Sequence, residues 1–314
     1  MRQTQGTGQT LAVAIPTYLR EQVLVDTIRH VLQQDPAPDE ILVIDQTPEH
    51  DADVRAWLQE QHAKKTIRWI TQSPPNLPAA RNRAAQETRC DLLLFVDDDV
   101  VLPAGFVAQH KQRFLDATIA AVAGQTYEHR SSKDGAGVES FENSSTTPTD
   151  DFTVHFVDFL RGNNFSVRRG VFVGVGGFDE SFVGAADGEE MDFAKRLLER
   201  GYKIIYDPTA QLVHLRAPSG GCRVIGNKSQ AEWTKSAGCW LYLFRHGSGW
   251  RECWGKVTGA LRAGPLRKEI LRSPRRWPEA WSGLLQAFLF AIHRARRPVH
   301  SPWVHAAKRT CNDN

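Results

Sequence analysis

Short apolar runs alternate with amphipathic segments through the first third of the sequence, and this alternation constrains the fold more than any other feature. The apolar runs cover residues 11–15, 41–45, 66–70 and 91–97, and the amphipathic segments between them cover residues 21–32, 52–62 and 79–87. A repeated strand–helix order predicts parallel strands joined by right-handed crossovers. We therefore expect an α/β fold with a mostly parallel sheet flanked by helices.

Polar residues gather where the predicted strands end. They are Pro16, Thr17, Asp45 and the acidic triplet at 97–99. In open parallel sheets, ligands bind in the crevice beyond the carboxyl ends of the strands. The sequence therefore predicts a ligand site at this edge of the sheet.

The pattern of the second half is less regular. Residues 128–151 are rich in Ser, Thr, Asp and Gly without clear periodicity, so we expect a mobile loop that folds over a substrate. The elements expected after it are a helix at 191–200, closed by Gly201, and strands at 203–206 and 211–215. Beyond these strands the pattern becomes helical, which predicts a distinct C-terminal region at 217–314.

The C-terminal region combines tryptophan with positive charge. From Leu241 onward the chain has fourteen Lys and Arg against four Asp and Glu, although the whole chain carries a formal net charge of only +3. This asymmetry indicates an anionic partner, with phospholipid, nucleic acid and acidic glycan open. Either the tryptophans pack on the α/β domain, or the tryptophans and arginines together bind an anionic membrane surface. No nucleic-acid motif accompanies the basic residues, so no nucleic acid is expected.

Cysteine content and hydropathy indicate a cytoplasmic protein. The five cysteines lack the close spacing of a zinc site or a disulfide framework, and no signal-peptide pattern begins the sequence. The longest apolar stretch, residues 280–292, is interrupted by Ser282 and Gln286 and falls short of the roughly 20 residues that span a bilayer. We therefore expect the cytoplasm, with peripheral contact at the inner face of the cell membrane.

Three adjacent carboxylates at the end of a buried strand indicate a metal site. Such carboxylates repel one another unless a cation neutralises them, and Mg²⁺ and Mn²⁺ suit oxygen ligands. Alternation along an extended chain puts Asp97 and Asp99 on one side and Asp98 on the other, so the first and third can share an ion. A solvated acidic turn is the alternative. His214, within an apolar strand, is either a core histidine or a third ligand.

A second acidic group, Asp187-Gly188-Glu189-Glu190-Met191-Asp192, opens the predicted helix. Capping and the helix macrodipole explain acidic residues at a helix N-terminus without any catalytic role. A carboxylate held rigidly there would also suit a general base that takes a proton from a substrate hydroxyl. Both explanations are open from the residues alone.

An ordered set of motifs carries a resemblance to a known family. In chain order the motifs are Val13-Ala14-Ile15-Pro16-Thr17-Tyr18 with Arg20, Ile41-Leu42-Val43-Ile44-Asp45, Ala80-Arg81-Asn82 after Asn76, Asp97-Asp98-Asp99, Gly162-Asn163-Asn164-Phe165-Ser166, Gly176-Gly177-Phe178-Asp179-Glu180, Gly188-Glu189-Glu190-Met191-Asp192 and His214. This set resembles the family 2 glycosyltransferases, which have the Rossmann-like GT-A fold and a DXD motif. The resemblance implies a catalytic domain at 1–216, with a nucleotide-binding half at about 10–100 and an acceptor half at about 101–216.

The resemblance also assigns roles to individual residues. The implied nucleotide-sugar contacts are Pro16, Thr17, Tyr18, Arg20, Asp45, Arg81, Asp97 and Asp98. The implied metal ligands are Asp97, Asp99 and His214. The implied acceptor contacts are Asn163, Asn164, Gly177 and Asp192. The catalytic base aligns with Glu190, where the family usually has aspartate, and the extra methylene leaves Glu189 as the alternative base.

The implied activity is transfer of a sugar from a nucleotide-diphospho-sugar to an acceptor hydroxyl, with inversion and with Mn²⁺ or Mg²⁺. A UDP-sugar is the favoured donor, dTDP- and GDP-sugars stay open, and the acceptor is a glycan or lipid-linked molecule in cell-envelope polysaccharide or glycolipid synthesis. A sugar nucleotidyltransferase is an alternative, but residues 16–20 are not the Gly-rich phosphate loop that it needs. A non-catalytic sugar-binding scaffold is another, although the metal carboxylates and the base are retained.

Overall fold

The computed structural model describes residues 8–130, 140–143, 153–184, 186, 188–221, 228–247, 255, 257–258, 261–262, 266 and 268–302. Within these ranges one mixed sheet of ten strands carries helices on both faces. The expected α/β fold is confirmed.

The strands and helices predicted for the first third are present. The strands are β1 (Leu11–Thr17), β2 (Glu40–Asp45), β3 (Arg68–Thr71) and β4 (Leu92–Val96), and the helices are α1 (Gln22–Leu32), α2 (Ala52–Ala63) and α3 (Leu77–Glu87). The order in the sheet is β3-β2-β1-β4, and all four strands are parallel. Thr17 pairs with Asp45, so the ends of β1 and β2 lie together at one edge.

The second half of the sheet mixes strand directions. It consists of β5 (Val100–Val101), α4 (Phe106–Arg113), β6 (Ile119–Arg130), β7 (Ser140–Asn143), β8 (His155–Val157), β9 (Asn164–Arg168), α5 (Arg169–Gly174), α6 (Glu189–Glu199) and β10 (Lys203–His214). Strand β9 lies between β4 and β6 and is antiparallel to both, whereas β6 and β10 are parallel. The sheet therefore contains two parallel groups, β3-β2-β1-β4 and β6-β10, and the antiparallel strand β9 lies between them.

Two local predictions differ from the structure. Residues 128–151 were expected to form a loop, but they include the end of β6 and its antiparallel partner β7, and the rest of that stretch lies outside the described residues. The strands expected at 203–206 and 211–215 form the single strand β10, whose pairing with β6 is irregular between Asp207 and Gln211. Both differences have the same cause, because backbone pairing depends on the neighbouring strand as well as on side-chain pattern.

Alternation along β1 divides the core into two layers. Leu11, Val13 and Ile15 pack in the layer of α1 and α2, whereas Ala12 and Ala14 pack in the layer of α3. Successive side chains of a strand point to opposite faces of the sheet, which produces this division. The small alanines of β1 let α3 lie close to the sheet.

Buried ion pairs attach the C-terminal helices to the α/β core. These helices are α7 (Lys228–His246), α8 (Lys268–Leu271) and α9 (Trp277–Ala295). Asp192 of α6 accepts hydrogen bonds from Arg196 at 2.9 Å and from Arg245 of α7 at 3.3 Å, and its Oδ1 lies 2.9 Å from His246 Nε2. Burial opposes ionisation, but these partners hold the pKa of Asp192 well below its usual range. Among the described helices, none is both long and apolar enough to cross a membrane.

His110 of α4 is expected to make stability depend on pH. Its ring nitrogens lie 2.8 Å from Ser166 Oγ and 2.9 Å from Asn164 Oδ1, and burial lowers the pKa of His110 to about 4. In the unfolded chain a histidine titrates at about pH 6.5. Between these values the unfolded state binds more protons, so stability falls as the pH falls.

Lowering the pH from about 7 to about 5 should reduce the free energy of unfolding of both the wild-type protein and His110→Gln. We expect the reduction to be about 2 kcal/mol larger for the wild-type protein. Urea unfolding of both proteins at the two pH values measures the difference, and comparison with the variant cancels the other titrating groups. Equal losses would show that His110 is not held neutral in the folded protein.

Candidate active site

Strands β4 and β10 bring Asp97, Asp99 and His214 together at the carboxyl edge of the sheet, and we call these three side chains the metal-ligand cluster because together they could hold a metal ion. Asp97 and Asp99 follow β4, and His214 ends β10, where it pairs with Val100 of β5. His214 Nε2 lies 3.1 Å from Asp99 Oδ1 and 3.8 Å from Asp97 Oδ2. One ligand atom from each residue lies within 4.8 Å of the other two. This spacing would let a single ion contact all three side chains.

His214 is held between carboxylates on both ring nitrogens. Its Nδ1 lies 3.3 Å from an oxygen of Glu128, the residue of β6 that pairs with it across the sheet. Burial disfavours a charged ring, but hydrogen bonds to Asp99 and Glu128 raise the pKa of His214 to about 10. An ion bound to Nε2 would therefore displace the proton of that nitrogen. Glu128 thus fixes the orientation of the ring. Sequence reasoning missed this residue, because only the pairing of β6 with β10 brings it to the site.

Asp98 faces the end of β1. It accepts hydrogen bonds from the Thr17 hydroxyl at 2.7 Å and from Arg20 Nε at 3.1 Å. Burial raises the pKa of Asp98 to about 7, although the guanidinium of Arg20 acts in the opposite direction. Arg20 also donates to Asp99 at 3.0 Å and to the carbonyl of Ala217 at 3.2 Å. This buried arginine therefore ties the ends of β1 and β4 to the segment after β10.

Asp45 lies in a buried network at the end of β2. Its Oδ1 accepts a hydrogen bond from the Thr47 amide at 2.9 Å, and its Oδ2 accepts one from Trp69 Nε1 at 2.7 Å. The same Oδ2 lies 2.7 Å from His50 Nε2. Burial opposes ionisation, but these partners lower the pKa of Asp45. The network fixes Asp45 beside residues 16–18, which are three of the other predicted donor contacts.

Arg81 of α3 connects the two acidic groups from within the core. It is 1% exposed, and it donates hydrogen bonds to Glu189 Oε1 and, at 2.8 Å, to the Gly162 carbonyl. Its guanidinium also lies 3.7 Å from Asp97 Oδ1. Burial raises the pKa of Glu189 well above its ordinary value, although Arg81 acts in the opposite direction. Arg81 therefore holds the first turn of α6 beside the metal-ligand cluster.

Glu190 lies against Gly162, which precedes β9. A Cβ atom on Gly162 would lie 2.2 Å from Glu190 Oε1 and 2.8 Å from a guanidinium nitrogen of Arg81. The absence of a side chain at Gly162 therefore provides the space that the Glu190 carboxylate occupies. Sequence reasoning included Gly162 only as a member of a motif, because its contact with α6 exists only in the folded chain.

Two predicted acceptor contacts, Asn163 and Asn164, have different surroundings. Asn163 is half-buried, and its Oδ1 accepts a hydrogen bond from the Thr126 hydroxyl at 3.1 Å. Asn164 is fully buried and donates to the carbonyls of Gln125 at 2.7 Å and Ala210 at 2.9 Å. Asn164 therefore links β9 to β6 and to β10, and Asn163 lies nearer the surface.

The other two predicted acceptor contacts also take part in the fold. Gly176 and Gly177 have φ angles of +97° and +63°, in agreement with the positive φ that paired glycines predict. Asn82 of α3 holds this turn through hydrogen bonds of 2.9 Å to the amide and the carbonyl of Phe178. Asp192 uses Oδ1 to pair with Arg245 and His246 of α7, and its Oδ2 accepts a hydrogen bond from Arg196 within α6. The structure thus gives Asp192 a role in attaching α7.

A cleft of about 820 Å³ opens beside Arg20, and the sequence did not predict it. Residues 19–23 and 215–219 line the cleft, together with His129. The two segments are held together where the Gly221 amide donates to the Tyr18 carbonyl at 2.7 Å. Because Arg20 also contacts the acidic triplet, the cleft adjoins the metal-ligand cluster.

A comparison with models of protein families identifies the family of this chain. A family model described as glycosyl transferase family 2 matches residues 12–174, just over half of the chain. The chain belongs to glycosyl transferase family 2. The matched part contains the acidic triplet, Arg81 and Gly162, whereas Glu190 and His214 lie beyond it. The protein is therefore a glycosyltransferase.

Two solved structures resemble this glycosyltransferase in fold. The mannosyltransferase PcManGT from Pyrobaculum calidifontis, in complex with GDP-Man and Mn²⁺, is 15% identical with a TM-score of 0.53, and the match covers 98% of this chain and 81% of that one. GalNAc-T7 with UDP, GalNAc and Mn²⁺ is 14% identical with a TM-score of 0.55, and the match covers 93% of this chain and 59% of that one. Comparison with curated proteins gives no match. These similarities establish the GT-A fold.

The metal-ligand cluster of this glycosyltransferase has the chemistry of a divalent-cation site. Two carboxylate oxygens and one imidazole nitrogen converge within 4.8 Å. Carboxylates suit both Mg²⁺ and Mn²⁺, and an imidazole ligand favours the transition-metal ion. Asp97, Asp99 and His214 could therefore hold such an ion, with Mn²⁺ as the better match.

Proposed function

We propose that this glycosyltransferase moves a sugar from a nucleotide-diphospho-sugar to an acceptor hydroxyl with inversion at the anomeric carbon, using Mn²⁺ or Mg²⁺. The observation that carries the proposal is the position of buried Arg81 between two acidic groups. Its guanidinium pairs with Glu189 and lies 3.7 Å from Asp97. A metal-binding cluster on one side and a carboxylate base on the other suit a single displacement with inversion.

Asp97, Asp99 and His214 are the proposed metal ligands. They would hold a divalent ion, which would supply a Lewis acid to stabilise the negative charge that grows on the leaving nucleotide diphosphate. Glu128 and Arg20 are positioning residues, because Glu128 orients the His214 ring and Arg20 holds the Asp99 carboxylate.

Glu190 is the proposed base in preference to Glu189. Glu189 is 1% exposed, and one of its oxygens accepts a hydrogen bond from Arg81, so it is poorly placed to contact an acceptor. Glu190 is half-buried and lies in the space beside Gly162. The Glu190 carboxylate takes the hydroxyl proton as the acceptor oxygen bonds to the anomeric carbon and the nucleotide diphosphate leaves. No covalent enzyme intermediate forms in this reaction.

Gly162→Ala is expected to lower turnover of the nucleotide sugar by about 10–100-fold. The new Cβ would lie 2.2 Å from Glu190 Oε1, so the proposed base must move. Gly170→Ala is the matched control, because nothing lies within 4 Å of a Cβ at Gly170. Release of free nucleotide from the donor measures turnover, and thermal unfolding checks that both variants fold. A folded Gly162→Ala variant with wild-type turnover would contradict the positioning of Glu190 by this glycine.

The proposal also assigns residues to the binding of the donor and of the acceptor. The proposed donor contacts are Pro16, Thr17, Tyr18, Arg20, Asp45, Arg81, Asp97 and Asp98, with a UDP-sugar favoured and dTDP- and GDP-sugars as alternatives. The proposed acceptor contacts are Asn163 and Gly177, with Asn164 and Asp192 supporting them from within the core. The acceptor is proposed to be a glycan or a lipid-linked molecule in cell-envelope polysaccharide or glycolipid synthesis.

The proposed organisation is a catalytic domain at 1–216 and a helical C-terminal region at 217–314. The catalytic domain would bind the nucleotide through residues 10–100 and the acceptor through residues 101–216. The proposed location is the cytoplasm, with the C-terminal region in peripheral contact with the inner face of the cell membrane. The excess of Lys and Arg after Leu241 supports this contact.

Calorimetric binding of UDP, dTDP and GDP tests the proposed function. Each nucleotide is titrated into the full chain with Mn²⁺ and again with excess chelator. We expect one nucleotide to bind with Mn²⁺ and to lose most of its affinity with chelator, which also identifies the base of the donor. Failure of all three to bind under either condition would contradict an active transferase and favour the sugar-binding scaffold.

A further inference from the structure

A row of large apolar side chains lies exposed along α9. Its members, spaced four residues apart, are Trp277, Trp281, Leu285 and Leu289, and they are 46%, 52%, 58% and 57% exposed. Residues four apart are neighbours on the surface of a helix, so the four side chains form one continuous row. The row is about 18 Å long at the rise of an α-helix. Contiguous exposed apolar residues of this kind mark interaction surfaces.

The side of α9 that contains Phe288 and Ala291 is attached to the protein. Ala291 is fully buried, and the ring of Phe288 meets the ring of Trp240 of α7 edge to face at 5.2 Å. Near the end of α9, Arg294 donates a hydrogen bond of 2.8 Å to the Ser181 hydroxyl in the α/β core. The apolar row is thus a fixed surface of the molecule, held on a helix that two other parts of the chain position.

Exposed cations flank the apolar row at both ends. Residues 268–302 contain seven Lys and Arg against two Glu. Arg272 and Arg275 are exposed before the row, and Arg296 and Arg297 are exposed after it. Anionic lipid headgroups attract such residues, and Trp and Leu enter the boundary between headgroups and acyl chains. The pattern of apolar row and flanking cations is complementary to an anionic lipid surface.

We propose that the apolar row of α9 and its flanking arginines bind the surface of an anionic membrane, with α9 lying in the plane of that surface. Among the described helices none is apolar enough to span a bilayer, which agrees with an interfacial position. A second copy of this chain fits the row less well. Because both ends of α9 are cationic, parallel and antiparallel pairing of two rows would each bring like charges together.

This inference rests on the membrane contact proposed above and names its surface, but it does not depend on the sugar-transfer chemistry. Bound in this way, the glycosyltransferase would present its site to acceptors at the membrane surface. A lipid-linked acceptor would then be reached by diffusion within the membrane plane.

Co-sedimentation with lipid vesicles tests the proposed surface. The full chain is mixed with vesicles of phosphatidylcholine alone or with about one third phosphatidylglycerol, at low and at high salt. We expect binding to the anionic vesicles, weakened by salt, and at least about tenfold weaker binding for Trp281→Ser/Leu285→Ser, because both side chains lose their apolar contact with lipid. Leu115→Ser/Phe156→Ser is the matched control, since Leu115 and Phe156 are 61% and 62% exposed on the α/β domain.

The outcomes distinguish a failure of the proposed membrane surface from a failure of the proposed transfer function. Equal vesicle binding by the Trp281→Ser/Leu285→Ser variant and the control would overturn the proposal, as would binding to phosphatidylcholine vesicles alone with no anionic preference. A wild-type dimer in light scattering that this variant converts to a monomer would assign the row to self-association instead. Metal-dependent nucleotide binding, measured without lipid, should be the same in all these variants, so its loss would count against the proposed transfer function and not against the surface.

Discussion

Glu190→Gln is expected to lower turnover of the nucleotide sugar by about 10²–10⁴-fold, the usual cost of losing a positioned general base. Glutamine has the size and shape of glutamate, but its amide does not take up a proton at neutral pH. The contact of residue 190 with Gly162 is retained in the variant, so nucleotide affinity should change little. Single-turnover release of nucleotide and calorimetric nucleotide binding, both with Mn²⁺, measure the two quantities.

Two other glutamates of α6 serve as comparisons for Glu190. Glu199, whose side chain is 50% exposed at the far end of the helix, should tolerate Glu199→Gln with unchanged turnover. Glu189→Ala should lower the free energy of unfolding by about 3 kcal/mol, because it removes the buried carboxylate that accepts a hydrogen bond from the guanidinium of Arg81. Wild-type turnover in a folded Glu190→Gln variant would remove Glu190 from the role of base.

Asp99→Asn is also expected to have a large effect, because it should weaken metal-dependent binding of the nucleotide. Asp99 supplies the carboxylate oxygen nearest to His214, at 3.1 Å, and the substitution removes its negative charge while keeping its shape. Loss of a supporting residue at a metal site costs roughly 10–100-fold in metal affinity or activity. Loss of a proposed direct ligand should cost more than about 100-fold, in Mn²⁺-dependent nucleotide binding and in turnover alike.

Asp98→Asn is the matched control for Asp99→Asn, because it makes the same change of side chain at the adjacent position. Asp98 accepts hydrogen bonds from Thr17 and Arg20 and is not part of the metal-ligand cluster. We expect a smaller loss of Mn²⁺-dependent affinity, measured by the same titrations, with thermal unfolding without metal as a check on folding. Equal losses in the two variants would indicate a general effect of charge and contradict direct ligation by Asp99.

The frame of the fold was predictable from the sequence because its signals are local. Each strand and helix of the first third was recognised from its own period of apolar residues, and the boundaries agree within a few residues. The direction of β9 was not predictable in this way. A strand of the same composition can pair in either direction, and only its position between β4 and β6 selects the antiparallel one.

The sequence likewise predicted some residues of the candidate site and not others. The acidic triplet was visible as a metal-binding pattern, because the three carboxylates are adjacent in the chain and follow an apolar strand. Glu128 carried no such signal, since it reaches His214 only through the pairing of β6 with β10. The surroundings of Asn164 and Asp192, likewise, depend on strands and helices that are distant in the chain.

The sequence by itself determined the α/β fold, the edge of the sheet that holds the site, and the acidic groups from which a metal site and a base could be built. These features depend on the order and spacing of neighbouring residues. Only the tertiary structure distinguished the surroundings of Glu189 and Glu190. Arg81 lies 108 residues before Glu189, and its burial beside that carboxylate occupies Glu189 while Gly162 provides space for Glu190. Contacts between residues so far apart are formed only when the chain folds, so no local pattern could have predicted them.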